Sequence, residues 1–174
     1  NDNKDLPLQN TSYETMEFLG DSILSSSVSS YLYKRFYEIH GENEGFLTKI
    51  RTRIVCGENL AKLSSDLKFN EFIIISKHIE ENCSGRSNMH ILEDVFEAFL
   101  GAIFLDNDYE FAKKVILTIV EELVDFTDII INDNNYKDQI LKYCQHNFKI
   151  YPQYKHIRKD DDNTFYCNLI VNDI

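Results

Sequence analysis

A chain of 174 residues can bury one substantial core and leaves room for a second, smaller module. Its 43% hydrophobic and 13% aromatic residues, with only six Gly and two Pro, exclude a disordered or collagen-like chain and suit a helical globular protein. The formal net charge of −11 opposes the general phosphate affinity of basic proteins, so a polyanionic ligand would have to be reached through cations.

No run approaches the ~18 apolar residues of a membrane span, and residues 1–10 are polar, so no membrane partner is expected. Cys56, Cys83, Cys144 and Cys167 form no CxxC pair and have no matching His spacing. Neither a zinc site nor a disulfide framework is encoded locally; the reading is four free thiols in an intracellular, reducing compartment, cytoplasm or nucleus alike.

Along the chain, Thr11 to about Tyr37 reads as a long helix, with Met16, Leu19, Ile23, Leu24, Val28, Tyr31 and Leu32 at helical spacing and Thr11-x-x-Glu14 as a capping box. Phe46–Cys56 and Glu58–Leu67 read as two further helices broken near Gly57, and the apolar run Phe72–Ile75 as either a strand or a buried turn. A polar loop is expected from Lys77 to Ser87, followed by helices over Asn88–Leu105 and Tyr109–Phe126. Thr127 to Asn135, rich in Asp and Asn, fits a linker. Beyond it the pattern changes to a helix over Tyr136–Asn147 and two strands, Gln153–Lys159 and Thr164–Val171, joined by an Asp160-Asp161-Asp162-Asn163 turn. The expected fold is therefore mainly α, with an all-helical domain over 1–132 and a small α-β-β module over 136–174.

Glu17 and Asp21 are spaced i, i+4, and Asp94 and Glu97 i, i+3, so each pair shares one helical face. Phe18, Leu19 and Ile23 beside the first pair, and Val95, Phe96 and Phe99 beside the second, imply that both helices are substantially buried. Packed together, they would gather four carboxylates. At ~4 Å and an effective dielectric of ~20, each like-charged pair costs on the order of 4 kcal/mol, so the acids must protonate or bind cations. All-oxygen ligands favour Mg²⁺, with Mn²⁺ as a substitute. Spacing alone leaves the plainer reading, two solvated acidic helix faces, ahead.

The flanking residues change that weighting. Tyr13-Glu14-Thr15-Met16-Glu17-Phe18-Leu19-Gly20-Asp21-Ser22-Ile23-Leu24 resembles the signature helix of ribonuclease III endonucleases. Ile91-Leu92-Glu93-Asp94-Val95-Phe96-Glu97-Ala98-Phe99-Leu100-Gly101-Ala102-Ile103 resembles the helix bearing that family's remaining metal ligands, and Phe46-Leu47-Thr48-Lys49-Ile50-Arg51 with Leu60-Ala61 resembles its connecting helices.

The resemblance implies that Glu17, Asp21, Asp94 and Glu97 are catalytic metal ligands. The activity it implies is Mg²⁺-dependent hydrolysis of double-stranded RNA to 5′-phosphate and 3′-hydroxyl ends with short 3′ overhangs. Glu14 matches an acidic position linked with the substrate cleft, although helix capping explains it equally well. Phe18 resembles the aromatic that family members insert into a pocket of a second subunit, against the usual reading of such a residue as core. Gly20, costly inside a helix by up to ~1 kcal/mol, implies close approach of another helix, which includes a symmetry mate. Phe18 and Gly20 thus stand as candidate interface residues of a homodimer, and Lys49, Arg51, Arg53 and Arg86 as candidate RNA contacts.

The tail resembles the start of a double-stranded-RNA-binding domain, with its first helix, Pro152-x-Tyr154 and two strands, but without a final strand or basic second helix. Asp138, Leu141, Lys142 and the acidic turn depart from the groove-contacting pattern, so little RNA contact is expected there. With no initiating Met and no helices before the first block, the sequence reads as a piece of a longer chain. Two rival functions stay open: a noncatalytic RNA-binding or scaffold protein with this fold, and an unrelated helical phosphohydrolase acting on nucleotides.

Overall fold

The computed structural model describes residues 12–132, 136–158 and 165–171. Eight α-helices and a two-stranded antiparallel sheet follow in chain order among them, the fold class expected from the sequence. Helix α1 (Glu14–Leu32) continues into a π-helical turn (Tyr33–Glu38); α2 is Glu44–Ile54, α3 Gly57–Asp66, α4 Lys77–Asn82, α5 Met89–Asp106, α6 Tyr109–Leu123, α7 Phe126–Ile131 and α8 Tyr136–Phe148. Strands β1 (Gln153–Arg158) and β2 (Phe165–Ile170) close the order, paired from Gln153 with Ile170 to Arg158 with Phe165. None of the described helices is long and apolar enough to cross a membrane.

The helix starts follow from local chemistry. Asn43, Ser76, Asn88 and Asp108 accept hydrogen bonds from the backbone N–H of Phe46, Ile79, His90 and Phe111, capping α2, α4, α5 and α6. Asp125 does the same for α7 through the N–H groups of Thr127 and Asp128. The expected capping box at the start of α1 involves Thr11, which lies outside the described residues, as does the Asp160–Asn163 turn. The nearest described acceptor is Ser12, whose Oγ takes the N–H of Glu14 at 3.4 Å.

Two expected coil segments are helical in part. The polar stretch 77–87 holds α4 and a 3-10 turn (Gly85–Ser87), and the presumed linker from Thr127 opens within α7. Ser76 and Asp125 supply the caps that a reading of polarity alone passes over. Phe72–Ile75 forms neither a strand nor a wholly buried turn: Ile73 is buried while Phe72 is 78% exposed. Arg86 ties this segment down, donating to the carbonyls of Asn70 and Ile73 and to Glu80 Oε1, each at 2.9 Å.

The chain forms two compact units, one up to Ile129 and one from Ile130. The first has the main core, in which Leu24, Val28 and Leu32 of α1 pack with Ile50 and Ile54 of α2, Leu60 and Leu63 of α3, Phe96 and Leu100 of α5 and Ile116 and Val120 of α6. The second buries Cys144 of α8. There the Lys137 ammonium lies 5.2 Å from the centre of the Tyr154 ring.

Candidate active site

Two glycines set the geometry of the acidic region. A Cβ on Gly20 of α1 would lie 1.8 Å from the Glu97 carbonyl oxygen, and one on Gly101 of α5 would lie 2.2 Å from that of Met16. The two helices therefore meet backbone to backbone, which no residue with a side chain allows. Glu17 and Asp21 belong to α1, and Asp94 and Glu97 to α5, the two helices that meet at this crossing.

The acids sense one another. Glu97 is pushed up to about 7, first by burial and then by the charges of Asp21, Glu93, Glu17 and Asp94. Burial also raises Glu17, helped by Asp94, Glu14 and Glu93. Asp94 is raised by burial and by Glu14, against the opposing pull of His90 and a backbone hydrogen bond. Even the Tyr13 hydroxyl, at the start of α1, is raised by burial and then by Asp94, Glu17 and Glu14.

Among the described residues, no salt bridge reaches Glu17, Asp21, Asp94 or Glu97. Asp21 accepts a hydrogen bond from Ser25 Oγ at 3.4 Å. As placed, no three His, Cys, Asp or Glu side chains among the described residues converge tightly enough to hold a metal ion. The four carboxylates share an electrostatic field rather than a finished cage. An oxygen-only donor set in which Glu17, Asp94 and Glu97 are all raised, and which no salt bridge neutralises among the described residues, fits a hard divalent cation such as Mg²⁺ or Mn²⁺.

The cationic candidates lie elsewhere. Arg53 Nη1 donates to the Ile129 carbonyl at 2.6 Å, and its Nη2 is 3.8 Å from Asp128, so it fastens the end of the helical unit. Arg86 anchors the loop after α3 as described. Arg51 donates to Ser29 Oγ at 3.4 Å, about 12 Å beyond Asp21 along α1 at 1.5 Å per residue. Lys49 is half-buried on α2. Glu14 is exposed and contributes charge to Glu17, Asp94 and Tyr13.

Phe18 projects from α1 at 78% exposure. Gly20 corrects the interface assignment: it is buried in its own chain against α5, and the helix it admits is intramolecular. Sequence reasoning also missed Glu93, which acts on both Glu17 and Glu97. Its adjacency to Asp94 was visible, but nothing in the linear pattern shows which helix it faces.

Residues 2–123 match the family described as ribonuclease-III-like. The probable ribonuclease 3 of Acanthamoeba polyphaga mimivirus is 39% identical over 132 residues, which is 75% of this chain and 22% of that protein. The ribonuclease 3 of Aliarcobacter butzleri is 38% identical over 142 residues, 82% of this chain and 62% of that protein. This chain therefore spans less than two thirds of the length of either relative. Among solved structures, the nuclease domain of ribonuclease III from Campylobacter jejuni superimposes with a TM-score of 0.60 at 36% identity, over 66% of this chain and 78% of that one. The match runs through both acidic blocks and the helices that join them, and the chain belongs to the ribonuclease-III-like family.

Proposed function

We propose that this chain carries the catalytic domain of an endoribonuclease that hydrolyses phosphodiester bonds of double-stranded RNA, leaving 5′-phosphate and 3′-hydroxyl ends with short 3′ overhangs. The observation that carries this reading is Glu97, whose carboxyl is raised to about 7 by burial and by four neighbouring acids with no cationic side chain among the described residues to offset them. Glu17, Asp21, Asp94 and Glu97 would hold the divalent cation. When bound, Mg²⁺ or Mn²⁺ supplies the Lewis acidity that phosphodiester hydrolysis needs.

The protein's own part is positional. The Gly20–Gly101 crossing fixes the two acid pairs on opposed helices, and Glu97 must release its proton before it can serve as an anionic ligand. No side-chain nucleophile is required. Duplex RNA would be read by its A-form shape and 2′-hydroxyls, with sequence secondary.

The exposed Phe18 supports a twofold dimer, each protomer contributing one acidic cluster to one strand of the duplex. The Campylobacter jejuni domain is described as having a region involved in dimer formation. The test is incubation of an end-labelled RNA duplex, its single strands and a mononucleotide ester with the protein and Mg²⁺. Cleavage of the duplex alone, with 5′-phosphate ends, is expected. Duplex binding without cleavage would favour a noncatalytic scaffold, and ester hydrolysis would favour a nucleotide phosphohydrolase.

A further inference from the structure

Glu93 precedes Asp94 and lies outside the four-acid set, yet its carboxylate has a seat of its own. A Cβ on Gly57 would lie 2.3 Å from Glu93 Oε2 and 2.6 Å from its Oε1, so the carboxylate rests over the first residue of α3 because that residue has no side chain. Gly57 opens α3, whose N-cap residue Cys56 makes no side-chain cap hydrogen bond. On its other side, Glu93 Oε2 is 3.8 Å from Nδ1 of His90, a side chain 92% exposed, while Glu93 itself is 29% exposed. From this seat its charge reaches both Glu17 on α1 and Glu97 on α5.

We propose that Glu93 is a positioning residue of the acidic site: seated over Gly57 at the start of α3, it adds a further negative charge that tightens cation binding by Glu17, Asp21, Asp94 and Glu97 without being a ligand itself. The assignment of those four carboxylates to a cation site belongs to the proposed function, and the two ideas fail separately in the experiment below. Glu93 is the far end of a flexible side chain, so an alanine at position 57 displaces its carboxylate while the helices stay in place. One extra charge near a divalent cation in water-rich surroundings changes affinity by about three- to tenfold.

The experiment is a Mn²⁺ titration, followed by electron paramagnetic resonance and calorimetry, of the full chain and of its Glu93→Gln, Gly57→Ala and Glu121→Gln variants, with circular dichroism as the folding control. Glu121, beside Tyr31 at the other end of α1, controls for the loss of one unit of net charge. Glu93→Gln and Gly57→Ala are expected to weaken Mn²⁺ binding about three- to tenfold, and Glu121→Gln to leave it unchanged. Combining Glu93→Gln with Gly57→Ala adds no further loss, and the gap from wild type narrows as monovalent salt is raised, which a purely structural defect would not do. Wild-type affinity in Glu93→Gln, or an equal loss in Glu121→Gln, overturns the role of Glu93. If the wild type itself takes up no Mn²⁺, the four-carboxylate site falls instead.

Discussion

The Glu97 carbonyl oxygen occupies the place where a side chain on Gly20 would begin, 1.8 Å from an ideal Cβ. One backbone contact thus sets both the packing of α1 on α5 and the relative placement of the two acid pairs.

Gly20→Ala must push the two helices apart, because the clashing atom is backbone and has no rotamer to escape into. Overpacking a well-filled core costs about 1–3 kcal/mol, and a contact this short belongs at the upper end. At about 2–4 °C per kcal/mol for a chain of this size, the expected outcome is a fall in the unfolding midpoint of several degrees, measured by circular dichroism. Mn²⁺ affinity should fall with it, since Glu97 moves away from Glu17 and Asp21. An unchanged midpoint would contradict the close approach.

The raised proton affinity of Glu97 has a definite sign in stability. Its folded value of about 7 exceeds the ordinary 4.5, so the folded state holds the proton more tightly than the unfolded chain. That contribution is fully present below pH 4.5 and is lost as pH rises through about 7; Glu17 and Asp94, also raised, act in the same direction. In metal-free buffer the protein should lose stability between about pH 5 and 7.5, and Glu97→Gln should flatten that slope. Urea unfolding of both proteins across this window is the measurement, and parallel slopes would remove Glu97 as the cause.

Much of this arrangement was legible in the sequence because it is periodic. The i, i+4 and i, i+3 acid pairs, the apolar stripes of α1 and α5 and the α-β-β order of the tail all repeat with the period of the element that bears them. What escaped is what periodicity does not encode. Gly20 announces that something comes close, but whether it is α5 or another protomer depends on a second glycine 81 positions away, Gly101, meeting the same crossing. Arg53 and Arg86 read as free cations until their carbonyl partners, Ile129 and Ile73, are known. Glu93 sits off the acid stripe by one residue, and its importance depends on the absence of a Cβ at Gly57 in a different helix. The short helices α4 and α7 fell below the length at which a hydrophobic period is readable, and their Ser76 and Asp125 caps were the available signal.

Phe18 stands clear of its own core at 78% exposure, so its truncation should leave the fold intact. In a twofold contact each change is counted twice. With ~1.5–3 kcal/mol for each buried aromatic, Phe18→Ala should weaken self-association by on the order of a hundredfold or more. Light scattering at micromolar protein is the test. A variant that remains as associated as the wild type would exclude Phe18 from the interface.

Glu97→Gln gives the sharpest separation between folding, binding and chemistry. Glutamine keeps the size and helix propensity of glutamate, and it removes a carboxylate that four neighbours already disfavour in its charged form, so the metal-free protein should fold at least as well as the wild type. What it cannot do is offer an anionic oxygen to a divalent cation. The cation is then held less firmly, and the rate of duplex cleavage should fall by roughly 10²-fold or more, with part of the loss recovered at high Mg²⁺ or Mn²⁺. Affinity for the duplex should survive, because shape and backbone recognition do not pass through this one carboxylate. Cleavage and binding of a single duplex by both proteins across a metal titration decide the matter. A folded Glu97→Gln that cuts at the wild-type rate would show that the four carboxylates are not the catalytic metal site.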